Sequence, residues 1–354
     1  MALHRCTCTY VPPHVVDCMA RRGDPATRQR ARIAAQQAKI SRAKRVKQVV
    51  QMPTFLASAA QVETAPPGAG RRLVYDCRHR FEQRVHLARS EGDPAVDDVD
   101  VNEVYDYAEI VRDYFMNELA RNSIDNMGLE IILNVHFGQN YMNAFWDGDE
   151  MTFGDGDGTI FTSFARSLDV AAHELAHGVT QFTADLEYYS QSGALNEHFS
   201  DVFGAAITQH HLGQDAGNAD WLVGNEIMGP TLYGEALRSM KAPGTAYENA
   251  LLGTDPQPAH MDNYYHGPED NRGVHINSGI PNRAFYLVAI AIGTPTAAKI
   301  WYHALQNLWS TANFNDAVDV IVESARTLTR DGVAPLGTTQ TVRAAFKEVG
   351  LPTT

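Results

Sequence analysis

A chain of 354 residues, 44% hydrophobic, 20% charged and 9% aromatic, is larger than one compact core usually holds, which excludes a peptide hormone or a minimal binding module. The composition also excludes wholesale disorder. A formal net charge of −13, from 29 basic and 42 acidic residues, argues against a body built to neutralise phosphates.

That charge is unevenly spread. Residues 1–50 hold 11 Lys/Arg against only Asp17 and Asp24, leaving 18 basic and 40 acidic residues for the rest, so a head of +9 precedes a body of −22. Opposite charges should draw the two together. The rival reading of Arg28, Arg30, Arg32, Lys39, Arg42, Lys44, Arg45 and Lys47 is a helix that tracks phosphates. No aromatic residue is interleaved for base stacking, so nucleic acid is not the expected partner. No run reaches the roughly 20 apolar residues of a membrane span. MALHRCTCTYVPPH lacks the apolar stretch of a secretory signal, so the expectation is cytosolic synthesis, with any export by an unconventional route. Four cysteines, Cys6, Cys8, Cys18 and Cys77, are too few for a disulfide scaffold and are expected as thiols.

In chain order, Val11-Pro12-Pro13 predicts an extended piece and 25–50 a polar helix. Residues 51–70 (Ala, Ser, Thr, Pro and Gly) have linker composition and are the expected processing region. A strand is predicted over 73–87, and a helix over 101–119 with Val104, Tyr107, Ala108, Val111 and Phe115 as its apolar positions. Strands follow at 131–135 and 139–146, then an acidic glycine turn at 154–158 (GDGDG). That turn reads as a hairpin turn in preference to a calcium loop. Beyond Leu168 helices are predicted at 168–181, 194–210, 279–292, 296–310, 314–328 and 339–348. The class is α+β, without internal repeats.

The chemistry gathers on two of these segments. Ala172-His173-Glu174-Leu175-Ala176-His177 contains H-E-x-x-H; on a helix His173 and His177 stack one turn apart and can share one ion, while Glu174, turned by about 100°, sits beside it. A three-ligand zinc site needs one more donor. Glu197, in GALNEHFSD (193–201), supplies it. Asp201, a turn later, is spaced to orient His173 through the other ring nitrogen. Gly193 and Ala194 leave room for the two helices to approach.

HELAH and GALNEHFSD, with NAFWDG (143–148) upstream and GVHINSGIPN (273–282), LRSM (237–240) and AKIWYHAL (298–305) downstream, resemble the thermolysin family of zinc metalloendopeptidases from about Leu73 to the end. The resemblance implies a thermolysin-like two-domain fold: a β-rich N-terminal domain, taken as 71–185, and a helical C-terminal domain, 186–354, with the zinc helix between them. It implies His173, His177 and Glu197 as ligands of one zinc ion, Glu174 as general base, Tyr188 and His275 on the oxyanion side, and Asp270 orienting His275. Arg238, Asn143 and Ala144 would hold the substrate backbone. Phe161, Phe164, Val170 and Leu237 would line the pocket for a bulky apolar residue just after the cut. Acids that hold paired calcium in the family read here as Thr208, Leu222 and Asn225, leaving Asp169 and Asp220, so calcium is expected to be lost.

Tyr10-Val11-Pro12-Pro13-His14-Val15-Val16 resembles the start of the protealysin-like group with short precursors. By that likeness residues 1–50 are an inhibitory propeptide that docks in the cleft. A thiolate of Cys6, Cys8 or Cys18 on zinc is a sharper variant. The expectation is a monomeric, autoinhibited neutral endopeptidase acting on peptides or proteins. A catalytically silent zinc-stabilised binding protein and a nucleic-acid binder are the alternatives.

Overall fold

The computed structural model describes residues 8–49 and 70–351. Cys6 and the 51–69 stretch of the expected processing region lie outside the described residues. The head comprises β1 (Cys8–Thr9), α1 (Pro13–Arg22) and α2 (Pro25–Val49). Then come β2 (Arg72–Asp76), β3 (His86–Ser90), α3 (Val99–Leu119), β4 (Ile131–Val135), β5 (Ala144–Trp146) and β6 (Met151–Phe153). Helices α4 (Leu168–Gln181) and α5 (Ser190–Leu212) follow, then two small ribbons, β7 (Leu222–Val223) with β8 (Arg238–Ser239) and β9 (Glu248–Asn249) with β10 (Gly253–Thr254). The chain ends in α6 (Glu269–Asn277), α7 (Gly279–Ile292), α8 (Thr294–Leu305), α9 (Phe314–Arg330) and α10 (Thr338–Glu348).

One mixed sheet runs β1-β5-β6-β4-β2-β3. Strand β4 is parallel to β2 and β6, and the other pairs are antiparallel. The head thus supplies an edge strand, covering backbone groups of β5 that would otherwise be open to another chain. Helix α3 starts where the Asp98 carboxylate accepts from the Asp100 and Val101 amides, and its Val104, Ala108, Val111 and Phe115 enter the core as the spacing predicts, whereas Tyr107 is only partly buried and Tyr105 is the buried tyrosine of this turn. Asn313 and Asp316 form a reciprocal capping box that starts α9.

Some boundaries move for local reasons. The strand predicted over 73–87 is two strands, because Arg78, His79 and Arg84 take left-handed backbone (φ 53°, 57° and 56°) and turn the chain back. Only Ala144–Trp146 of 139–146 is strand, after left-handed Asn140 (φ 54°). Pro12 is extended (φ −60°, ψ 146°), but Pro13 begins α1, where its missing N–H costs nothing. Helix α8 ends at Leu305, short of 310, in a tightened turn where the Asn307 amide bonds to the Ala304 carbonyl at 2.9 Å. Helix α6 escaped the periodicity because Asp270, Asn271, Arg272 and Gly273 are left-handed (φ 54°, 50°, 66° and 77°).

Candidate active site

Helices α4 and α5 pack along one another, and at Gly204 a Cβ would make only ordinary contacts, 3.5 Å from the Asp169 carbonyl oxygen and 3.7 Å from the His173 backbone nitrogen. Gly193 serves a different contact from the one expected, since a Cβ there would strike Val274 Cγ1 at 2.4 Å and the Tyr188 backbone. His173, His177 and Glu197 converge, all buried. The Nε2 atoms of His173 and His177 are 3.1 Å apart. Glu197 oxygens lie 3.5 Å from His173 Nε2 and 3.4 Å from His177 Nε2. Donors about 2.0–2.1 Å from a tetrahedral zinc are separated by roughly 3.3–3.4 Å, so the spacing fits the ion.

The surroundings fix the tautomers. Asn196 donates through Nδ2 to the Leu186 carbonyl (3.1 Å), so its Oδ1 accepts from His177 Nδ1 (2.8 Å). His173 Nδ1 lies 2.9 Å from Asp201 Oδ1. Both Nε2 lone pairs are therefore aimed at one point, which a shared proton or a metal ion must occupy. The Glu174 carboxylate also lies within 4.8 Å of the two imidazoles, but its Oε2 is engaged by the Trp146 amide at 2.8 Å. Its Oε1 is buried without a hydrogen-bond partner among the described residues. One Glu174 oxygen is thus held by the sheet, whereas the two Glu197 oxygens face the two imidazoles.

Asp201 ties the site to the scaffold. Arg238, 1% exposed, clamps it through Nε (2.9 Å) and Nη2 (2.8 Å), and Asn282 Nδ2 donates to it at 2.8 Å. Asn282 Oδ1 in turn lies 2.7 Å from His198 Nδ1, whose other ring nitrogen accepts from Trp301 Nε1 at 2.7 Å. His198 thus joins the scaffold behind Asp201. Residue type alone did not single out Asn196 or Asn282, although both lie inside the quoted motifs.

On the other wall, Asp270 holds His275 through Nδ1 (2.6 Å) and the backbone N–H (2.8 Å). The left-handed run at 270–273 makes this close return possible. His275 Nε2 is 3.1 Å from the Tyr188 hydroxyl, which donates to Glu197 Oε1.

The groove between these walls holds the head. Strand β1 pairs antiparallel with β5, Cys8 opposite Trp146 and Thr9 opposite Phe145. The Tyr10 amide donates to the Ala144 carbonyl at 3.0 Å. Asn143 brackets Val11, accepting from its N–H (2.8 Å) and donating to its carbonyl (3.2 Å). Arg238 Nη1 donates to the Tyr10 carbonyl at 3.4 Å, and His275 Nε2 lies 3.0 Å from the Thr9 carbonyl oxygen. Tyr10 packs edge-on against Phe164 and His173, and Tyr10 and Leu237 both crowd the space beside Gly224. Phe161 packs behind Phe164 with tilted rings, 5.7 Å between centroids, and Val170 is buried on α4.

Burial is the largest single influence on Glu174, His177, His173, His275 and Glu197, but it decides the direction only for the first two. It raises the Glu174 carboxyl to about 8 and lowers His177 to about 4. For His173 burial opposes charging, but Asp201 and Glu197 outweigh it and raise the ring to about 9. Burial also opposes charging of His275, which Asp270 and Glu197 nonetheless hold above its usual value. Glu197 lies well below the carboxylate range: burial works against this, and His275, His177 and His173 overcome it.

A second histidine–acid group, His79, His136 and Asp155, also brings donor atoms within 4.8 Å. There His136 is flanked by Asp155 (2.8 Å) and Asp98 (2.9 Å), a balanced ion-pair cluster. In the GDGDG turn, Asp157 accepts from the amides of Thr159 (3.0 Å), Ile160 (2.7 Å) and Phe161 (3.3 Å), a self-capped turn. Cys18 sits beside Gly253, 3.6 Å from where a Cβ would stand. Neither Cys8 nor Cys18 joins a potential metal-binding group among the described residues.

Comparison with known proteins matches this architecture. Residues 77–181 match the thermolysin metallopeptidase catalytic domain and 184–351 its alpha-helical domain. An extracellular metalloprotease of Pectobacterium carotovorum subsp. carotovorum is 51% identical over 246 residues, 69% of this chain and 71% of that protein. Protease PrtS of Photorhabdus sp. (strain Az29) is 44% identical over 287 residues, 79% of this chain and 76% of that one. The solved precursor of protealysin, a metalloproteinase from Serratia proteamaculans, superposes with a TM-score of 0.85 at 40% identity, covering 97% of this chain and 99% of that one. The convergent histidines and acid, the two matched domains and these relatives lead to one conclusion: the chain belongs to the thermolysin family of zinc-dependent metalloendopeptidases.

Proposed function

We propose that this protein is made as an autoinhibited zinc endopeptidase, in which residues 8–14 occupy the groove that later receives substrate. The observation that carries this reading is the bracketing of the Thr9–Tyr10 peptide group: the Thr9 carbonyl meets His275 and the Tyr10 N–H meets Ala144. This is strand addition to a sheet edge, a common mode of peptide recognition. The matched protealysin structure adds weight, since it is itself a precursor.

In this reading His173, His177 and Glu197 hold one zinc ion, which supplies the Lewis acidity that makes water a nucleophile near neutral pH. Glu174 takes the proton through its unpartnered Oε1 and passes it to the leaving amine. His275, whose protonated form Asp270 and Glu197 favour against burial, and Tyr188 donate to the carbonyl oxygen as negative charge builds there, each worth roughly 3–4 kcal/mol in a water-poor cleft. Arg238, Asn143 and Ala144 fix the substrate strand. Phe161, Phe164, Val170 and Leu237 favour a bulky side chain after the cut. Loss of the paired calcium site belongs to the same reading: Asp169 is engaged by Tyr10 and Gly224, and Asp220 by Asn225 and Leu222.

The test is cleavage of casein by the zinc-loaded full chain. Chelator-sensitive activity is expected, reduced by about 10³-fold or more in Glu174→Ala, the scale of losing a catalytic acid–base; equal activity in that variant would overturn the mechanism. Mass spectrometry of the ageing chain should show a new N-terminus between residues 50 and 70.

A further inference from the structure

The pocket that receives Tyr10 is apolar in its walls and polar at its floor. Phe164 and His173 stand edge-on to the ring at 6.5 and 5.2 Å between centroids, yet the phenol hydroxyl donates to Asp169 Oδ2 at 3.0 Å. Asp169, 8% exposed, is aimed by its surroundings. The Gly224 amide donates to the same oxygen at 2.6 Å, and the Ser167 hydroxyl donates to the other. Gly224 also provides the room. Its φ is +76°, and a Cβ there would come within 3.2 Å of the Tyr10 ring and 3.1 Å of Leu237, so a side chain would crowd the pocket and strain the backbone.

We propose that Asp169 makes this pocket selective for tyrosine as the residue following the scissile bond, over phenylalanine or leucine. The inference rests on the peptidase reading above and names a substrate feature within it. Phenylalanine would fill the same walls but leave Asp169 Oδ2 one donor short in a buried place. A site built to bond a hydroxyl rejects the analogue without it far more strongly than a hydrocarbon pocket distinguishes one methylene. Burial first, and then the charge of Asp169, keep the Tyr10 phenol protonated and able to donate. In this sense the head shows the pocket its preferred occupant.

The experiment compares two peptides identical except for Tyr or Phe after the cleaved bond, alongside casein, using the zinc-loaded full chain once its casein activity has appeared. Asp169 keeps two other donors, so the expected preference in kcat/KM is about 10- to 100-fold for tyrosine, collapsing towards one in Asp169→Ala. If casein is cut and wild-type protein cleaves both peptides equally, or prefers phenylalanine, the tyrosine inference falls while the peptidase reading stands. If casein and both peptides stay intact, the peptidase reading falls and the inference with it. The wild-type ratio decides even if Asp169→Ala fails to fold. A second readout uses the head itself: Tyr10→Phe should shorten the latency of the full chain, and unchanged latency would count against a phenol-specific floor.

Discussion

The two halves of the head are held by different physics. Residues 8–19 put Tyr10, Val11, Val15 and Met19 at 0% exposure and direct their backbone groups at β5, Asn143, Arg238 and His275. Helix α2 carries most of the positive charge, yet among its described residues one ion pair reaches the body, Arg30 to Asp157 at 2.8 Å. Among the described residues, then, the charge asymmetry so visible in the sequence makes little contact with the body. A short strand and an aromatic anchor make that contact, and the cationic helix lies alongside.

The sharpest way to break this comparison is Tyr10→Ala. Removing a fully buried aromatic side chain costs about 3–5 kcal/mol, enough to loosen docking by roughly 10²- to 5 × 10³-fold. The full chain should lose its latency, read as casein activity without a lag. Persisting latency would mean that α2 carries the docking after all.

Acid should act on the same half. His14 lies against Tyr247, 3.1 Å from its hydroxyl, with its Nδ1 buried and unpartnered among the described residues. Burial lowers it to about 4, Asp270 pulling the other way while His275 and Arg238 add to the depression. An undocked His14 titrates near 6.5. Above that pH the ring is neutral in both states and docking is at full strength. As pH falls from 6.5 towards 4, only the undocked head takes up the proton, and docking loses up to about 3 kcal/mol. The activity of unprocessed wild type relative to His14→Gln should therefore rise on acidification from pH 7.5 to 4.5, the ratio cancelling the pH dependence of the cleft. A flat ratio would remove His14 from the docking energetics.

What the sequence disclosed, and what it withheld, follows one rule. His173, Glu174 and His177 were legible because helical spacing alone sets which side chains share a face, and Glu197 and Asp201, one turn apart on the next helix, because a zinc site needs a third donor and an orienting carboxylate. Tyr188, His275, Asp270 and Arg238 came only through the family likeness, since their meeting depends on loops whose paths no periodicity encodes. The left-handed run at 270–273 is the clearest case. Asp169 shows the opposite difficulty: its position was noticed, as a remnant of calcium chemistry, but its aim towards Tyr10 depends on the ribbon that brings Gly224 over it. Orientation of this kind is set by tertiary packing and leaves little trace in local composition.

The smallest effect is expected at the pair that sequence charge would rank first. The Asp157 side chain is fully buried and that of Arg30 is 31% exposed, a geometry that suggests strength. Yet Asp157 is already satisfied by three amides and the Thr159 hydroxyl of its own turn. Burial works against its ionisation, but those donors hold it below the usual carboxylate range. Removing Arg30 therefore does not strand a buried charge, which is what makes broken ion pairs costly. Solvent reaches the guanidinium, so Arg30→Ala should weaken docking by no more than about 1 kcal/mol, under roughly fivefold in latency, with a similarly small response to 0.5 M salt. The partner is the wrong side to cut, because Asp157→Ala would also unmake the turn it caps. If Arg30→Ala instead released the head as fully as Tyr10→Ala, the order of the two halves would be reversed and long-range attraction would be the principal lock.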